Sequence, residues 1–357
     1  MTKKLSIIAS GLLISSTMAF GADSIDEAFK NGSVSGTLTA YGISTDTGVG
    51  STDPDSDTGY ATAALSYKTG TYNGLSAGLS YIAGHAMADG SLTNSSLMTE
   101  AYLAYSIEGA SLSIGRQAID LEWLGDYNES VVASITAIPN TEITIAYTNE
   151  QAAADEDEIG EFSSVNGNEG LYVVDAKITG VEGLELNPYY YSSKDLADYY
   201  GLKASFSTDM IGITAQYAAS SEDTQEDGSI GHIELSGSFE GLSVAAGYIK
   251  TDKDVGVGSI DDFGDNISPF DNGANTYATD AKTVYGSIGY SIAGLDLGVL
   301  YGTTDFGTNS EETELNVSAG YSFTESLTLG LLYVDYDLDG STASDFDSYS
   351  ATLAYSF

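Results

Sequence analysis

The chain has 357 residues, and its 52 Asp and Glu against 11 Lys and Arg give a formal net charge of −41 at pH 7. A surface this acidic repels nucleic acid and sets aside a phosphate-reading role, and the absence of Cys removes disulfide and thiol chemistry. With 26 Tyr, 11 Phe and only 4 Pro, the composition points to ordered β-structure instead of disorder.

The chain opens on Lys3 and Lys4, an apolar run over 5–14 and small residues up to Ala22, which is the pattern of a secretory signal. The expected leader is 1–22, cut after Gly21 or Ala22, and 23–357 is the mature domain. The apolar run is too short and too interrupted to span a bilayer, and no later stretch approaches ~18 apolar residues, so spanning helices are excluded.

From residue 33 one unit repeats: an alternating segment, a tight turn, a second alternating segment, then a longer polar loop. Tight turns rich in Gly, Asn, Asp and Ser fall at 69–74, 108–109, 138–140, 180–183, 207–209, 240–241, 293–294 and 324–326. Long connections lie near 44–58, 84–97, 117–129, 149–169, 219–229, 251–279, 303–312 and 336–346, with a short one at 192–195. Period-two alternation predicts strands at 33–43, 59–68, 75–83, 98–107, 110–117, 130–138, 141–148, 170–179, 183–191, 196–206, 210–218, 230–239, 242–250, 280–291, 294–302, 313–323, 327–335 and 347–357. That is about eighteen antiparallel strands, sixteen being the alternative, with both chain ends on the short-turn side.

Parity assigns the faces. Leu327, Leu329, Leu331 and Tyr333 share one face, as do Leu315, Val317, Ala319, Tyr321 and Phe323, opposite Glu314, Asn316 and Ser318. Aliphatic residues followed by Tyr at the strand end read as a lipid belt with an interfacial aromatic girdle. A β-sandwich would bury one face as well, but requires neither end-of-strand Tyr nor alternating loop lengths. The expected fold is therefore an all-β transmembrane barrel in the bacterial outer membrane, with short periplasmic turns, long extracellular loops and no open edge. The last strand alternates Tyr349, Ala351, Leu353, Tyr355 and Phe357 with small residues, and Tyr355 and Phe357 are the expected assembly signal.

The segment 115–129 holds the only arginine, Arg116, and the only tryptophan, Trp123. The Gly115-Arg116-Gln117 triplet, the acidic-aromatic loop behind it, the start Ser24-Ile25-Asp26-Glu27-Ala28-Phe29 and terminal Phe357 resemble the Opr-type major outer-membrane porins of Campylobacter-like bacteria. The resemblance implies a third loop folded into the barrel, with Arg116, Asp120, Glu122 and Asp126 at the constriction, and a homotrimer. Strict alternation instead puts Arg116 beside Leu112 and Ile114 on the lipid face, unless Gly115 marks a bulge or the strand has ended. Arg116 could then tie the loop to the wall through a carboxylate. Either 117–129 or 251–279 is long enough to narrow the lumen.

Glu100, Glu142, Asp175, Glu185, Glu234, Asp296 and Glu314 have inward parity, with Lys177, Lys203 and His232 among them. Carboxylates along a pore favour cations. Asp53, Asp55 and Asp57, and again Asp335, Asp337 and Asp339 before Gly340, have oxygen spacing that could wrap Ca²⁺ weakly and bridge to anionic lipopolysaccharide, although a solvated outer rim is the better reading of these acids. Only His85 and His232 are present, without a nucleophile motif, so neither an enzyme nor a cofactor is expected. The function expected is passive diffusion of small hydrophilic solutes and ions, with a cation preference. A substrate-selective channel, or an adhesin or structural barrel, is the alternative.

Overall fold

A computed structural model describes residues 22–48, 55–167, 169–308, 310–339 and 344–357. Its strands are β1 (Ser33–Thr47), β2 (Ser56–Lys68), β3 (Leu75–Ala88), β4 (Ser96–Ile107), β5 (Ala110–Ala118), β6 (Tyr127–Ile135), β7 (Thr141–Ala152), the two-residue β8 (Ser163–Ser164), β9 (Leu171–Val181) and β10 (Leu184–Ser193). They continue as β11 (Ala197–Ser207), β12 (Ile211–Glu222), β13 (Ser229–Phe239), β14 (Leu242–Thr251), β15 (Lys282–Ile292), β16 (Leu295–Phe306), β17 (Ser310–Ser322), β18 (Leu327–Leu338) and β19 (Phe346–Ser356). Each wall strand pairs antiparallel with its neighbours in the chain. β8 hangs on the mouth end of β7 outside the wall, which passes directly from β7 to β9. β19 pairs with β1 from Thr37↔Ser356 to Thr47↔Phe346, so eighteen strands close the sheet.

The outer face carries apolar side chains that water would not tolerate: Leu103 is 64 % exposed and Ile114 56 %. A closed sheet with this exterior is stable where hydrocarbon surrounds it, as in a bacterial outer membrane. Among the described residues no helix is long and apolar enough to cross a membrane. Outward aromatics pair across neighbouring strands toward the mouth side of the apolar belt, where Tyr147–Tyr172 and Tyr333–Tyr349 each stand 4.8 Å apart between ring centres.

At the short-turn end, α1 (Ile25–Lys30) is capped by Ser24, whose Oγ accepts from Glu27 N at 3.2 Å. The Phe357 backbone exchanges hydrogen bonds of 3.0 and 2.9 Å with Gly36, which ties the last residue into the first strand.

Two kinds of boundary differ from the sequence expectation for physical reasons. The sixth strand was expected at 130–138 but is Tyr127–Ile135, because Pro139 lacks an N–H and Asn140 turns with φ +56°, so the hairpin tightens earlier. On the mouth side many strands run past their expected ends, β16 to Phe306 and β18 to Leu338. These hairpins stay hydrogen-bonded beyond the bilayer, where polar side chains no longer alternate with apolar ones. Asp335 and Asp337 thus lie on β18, not in a loop. Alternate strand residues sit roughly 7 Å apart, so the pair does not wrap one ion. Asp339 follows in the turn, where its N donates to Glu311 O at 2.8 Å. Asp53 lies outside the described residues, Asp55 Oδ1 accepts from Thr47 N at 2.9 Å, and Asp57 is part of β2. Among the described residues no three potential metal ligands gather.

Candidate pore constriction

The barrel contains a packed apolar core inside its own lumen. Inward residues of β9 to β15, namely Leu171, Val173, Tyr189, Tyr191, Tyr199, Ile230 and Ile249, meet Trp123, Leu124, Ile260, Phe263, Ile267 and Phe270 from two loops. The first is the third loop, between β5 and β6. The second is the long connection from β14 to β15.

The third loop doubles back through paired bonds between Leu121 and Leu124, which puts Glu122 and Trp123 at its tip. Trp123 and Leu124 are fully buried, and Trp123 Nε1 donates to Tyr189 Oη at 3.0 Å. A buried aromatic of this size removes 150–250 Å² from water, roughly 4–6 kcal/mol. That is enough to offset the ordering of several loop residues at about 1–2 kcal/mol each.

The long loop spans the lumen in two directions. Ser259 donates through N and Oγ to Glu222 on β12 (2.8 and 3.0 Å), and Phe263 lies edge-on to Tyr199. It then clasps the third loop: Gly125 N donates to Phe263 O (3.3 Å) and Asn266 Nδ2 to Leu121 O (3.1 Å), while Gln151 Nε2 on β7 donates to both Gly125 O (3.0 Å) and Phe263 O (2.9 Å). Its far end reaches β17.

On the underside of this plug the wall carries a row of polar groups on adjacent strands. Lys203 on β11 pairs with the loop's Glu122 at 2.9 Å, their side chains 29 % and 6 % exposed. Lys203 is the register partner of both Asn187 on β10 and Gln216 on β12, and Gln216 faces His232 on β13. Gln216 Nε2 donates to Tyr189 Oη at 3.2 Å. Asp175 on β9 accepts from Asn187 Nδ2 (2.7 Å) and Tyr191 Oη (3.1 Å). Further round, Tyr285 Oη donates to Glu234 Oε2 at 2.7 Å and lies 2.9 Å from His232 Nε2. Gly247 is required here: a Cβ would stand 2.2 Å from the Tyr285 ring.

The other sequence candidates distribute as follows. Asp120 and Asp126 are exposed on the third loop. Arg116 sits at the mouth end of β5, where its Nε is 3.5 Å from Glu129, its partner on β6, and its guanidinium lies 4.1 Å over the Phe162 ring. It braces the mouth, apart from the Glu122–Lys203 contact. Glu142, Glu185 and Asp296 each lie one residue from the start of a strand at the short-turn rim, whereas Glu100, Asp175, Glu234 and Glu314 sit deeper. Lys177 is exposed to the lumen and faces Glu142 in register. Asn187, Tyr189, Tyr191, Gln216 and Tyr285 were not singled out from the sequence. Their signal was bulky or amide side chains at inward parity, where the rest of the wall carries Ser, Thr, Gly and Ala.

The opposite wall is different. Thr37 and Thr39 on β1 and Ser350 and Thr352 on β19 point inward and remain half-exposed. No loop packs on them with apolar side chains from the core just described.

No family model and no curated protein matches the sequence. Among solved structures, the chain is similar in fold to OccAB4 of Acinetobacter baumannii, at TM-score 0.77 and 18 % identity over 91 % of this chain and 98 % of that one. It is similar also to a BenF-like porin of Pseudomonas fluorescens Pf-5, at TM-score 0.80 and 12 % identity over 92 % and 99 %. A third is Pseudomonas aeruginosa OpdK, solved with vanillate, at TM-score 0.74 and 13 % identity over 92 % and 99 %.

Proposed function

We propose that the protein is an outer-membrane porin, a passive channel for small hydrophilic solutes with a preference for cations. The observation that carries this is the two-sided lumen of a closed eighteen-strand barrel. Barrels of this size leave an aqueous interior unless something fills it. Here the loops fill the side against β9–β15 and leave the hydroxyl wall of β19 and β1 to water.

Cation preference follows from the charges that remain. Glu122 neutralises Lys203, while the lumen-exposed Glu142, Glu185 and Asp296 and the half-buried Glu234 outnumber the inward cations left, Lys177 among them. Glu122 is the constriction residue in this reading, Asp120 and Asp126 set the field at its edge, and Arg116 holds the loop's base. The Gly115-Arg116-Gln117 triplet keeps the Opr-type kinship, and with it a homotrimer, as the assembly to test by cross-linking.

The part-exposed Lys203 ammonium, held beside Glu122 at the edge of the plug, favours a second reading in which the constriction selects among solutes. The test is a planar bilayer with a KCl gradient. Stepwise conductance with a cation-selective reversal potential supports the porin reading, and block by one low-concentration solute supports the selective one. Absence of conductance refutes both.

A further inference from the structure

We propose that residues 252–281 are a strap held across the lumen by a two-carboxylate latch, and that Glu312 and Glu314 on β17 thereby set the pore's open cross-section. The proposal rests on the porin reading and goes beyond it by assigning the residues that fix the channel's width.

The strap leaves β14, touches β12 and the third loop, and must then return to β15. Its outermost stretch lies against β17 and β18 instead. There the backbone amides of Asp271, Asn272 and Asn275 have no strand to pair with, and buried amides need acceptors. Glu314 Oε1 accepts from Asp271 N (2.8 Å) and Asn272 N (3.1 Å). Glu312 accepts from Asn275 N (3.2 Å) and Asn275 Nδ2 (2.5 Å), and its Oε2 also takes Tyr336 Oη at 2.9 Å. Both carboxylates are 1 % exposed, and charge-assisted bonds of this kind are about twice as strong as neutral ones.

An apolar catch sits beside them. Phe270, buried, lies over Gly302 on β16, where an added Cβ would stand 2.6 Å from Phe270 Cζ and 2.8 Å from Tyr285 Cβ. Only glycine leaves room for the ring. Two independent devices therefore seat the same few residues of the strap.

Inward carboxylates on a porin wall would ordinarily act as bare pore charges. These two are spent on the strap's backbone, so their effect should pass through it. In Glu312→Gln/Glu314→Gln an NH₂ replaces one acceptor oxygen on each residue and faces existing donors. Loss of charge-assisted bonds should raise the released population roughly tenfold. Chymotryptic cleavage at Phe270 should speed up by that factor, and single-channel conductance should rise with added current noise. Gly302→Ala should do the same by a separate route.

The deciding variant joins Ser259 to Ala278 through a short Gly-Ser link. In that shortened chain the two Gln substitutions should leave conductance unchanged, since there is no strap to release. Persistence of their effect there, or unaltered cleavage and conductance in the full-length chain, would overturn the latch. A wild-type chain that does not conduct would refute the porin reading, while the cleavage assay would still judge the latch. Heat-modifiable gel mobility checks in every case that the barrel has closed.

Discussion

The wall of β9–β15 and the wall of β19 and β1 share one backbone geometry and have opposite interiors. Both alternate faces with period two, and both present apolar residues to lipid. Inside, one wall offers Tyr189, Tyr191, Tyr199, Ile230 and Ile249, the other Thr37, Thr39, Ser350 and Thr352. The first seats two loops by burying their apolar side chains, while on the second the buried inward aromatic, Tyr41, is stacked on Tyr60 of β2 toward the mouth and the hydroxyls below it stay half-exposed. The shape of the channel is therefore decided less by strand number than by which arc of inner wall is greasy enough to hold a loop.

The largest effect on this contrast is expected from Trp123→Ala. It removes the centre of the plug and the donor to Tyr189, costing the seated loops about 3–5 kcal/mol. Hydrogen exchange should show the third-loop amides losing protection, and conductance should rise. Thr352→Trp, the same indole moved to the opposite wall, should lower conductance and leave those amides protected. If both variants change the current in the same direction, the two walls are not different in the way described.

A smaller effect is expected from Lys203→Met. Glu122 then keeps a nearly buried carboxylate without its cation, at about 1–3 kcal/mol to the loop seat, and the reversal potential in a KCl gradient moves further toward cations. Glu122→Gln should move it the other way. An unmoved potential in both would take the constriction away from this pair.

The smallest is a pH effect. The Asp261 carboxyl, half-buried at the strap's first turn, is pushed up to about 6 by burial and by the negative charges of Asp262 and Asp265. An ordinary Asp titrates near ~3.9, so the seated strap binds the proton before a released one does. The seat is therefore weakest above pH 6 and strengthens as pH falls through 6 toward 4. Chymotryptic cleavage of the strap, divided at each pH by that of an unstructured peptide, should slow over that window in the wild type and lose that dependence in Asp261→Asn. Glu222 faces Asp262 from β12, and its negative charge adds to the burial that raises the Asp262 carboxyl.

The wall was legible in the sequence because lipid enforces strict alternation, and eighteen strands follow from it, with their mouth-side ends falling several residues short where lipid no longer acts. The plug was not, because a loop's seat depends on side chains far apart in the chain meeting inside the lumen. Trp123 stood out as the only tryptophan, but its partner Tyr189 lies 66 residues away in a run, Tyr189-Tyr190-Tyr191, that reads as girdle on both faces. Glu122 and Lys203 were each visible as candidates, while their pairing was not. The acids at 335 and 337, grouped in the sequence as a loop segment with a solvated rim as its better reading, lie on a strand, because period-two spacing of acids looks the same on a strand as in a cation-binding turn.

The chain has no cysteine, so single introduced thiols report directly on where water reaches. In the assembled barrel, a charged water-soluble thiol reagent should modify Ser350→Cys and reduce the single-channel current in one step. Ala218→Cys, at a fully buried position beneath the plug on β12, should stay unmodified until Trp123 is also truncated. Rapid modification of Ala218→Cys in the intact protein, with Ser350→Cys inert or without effect on current, would contradict a water path along the β19–β1 wall.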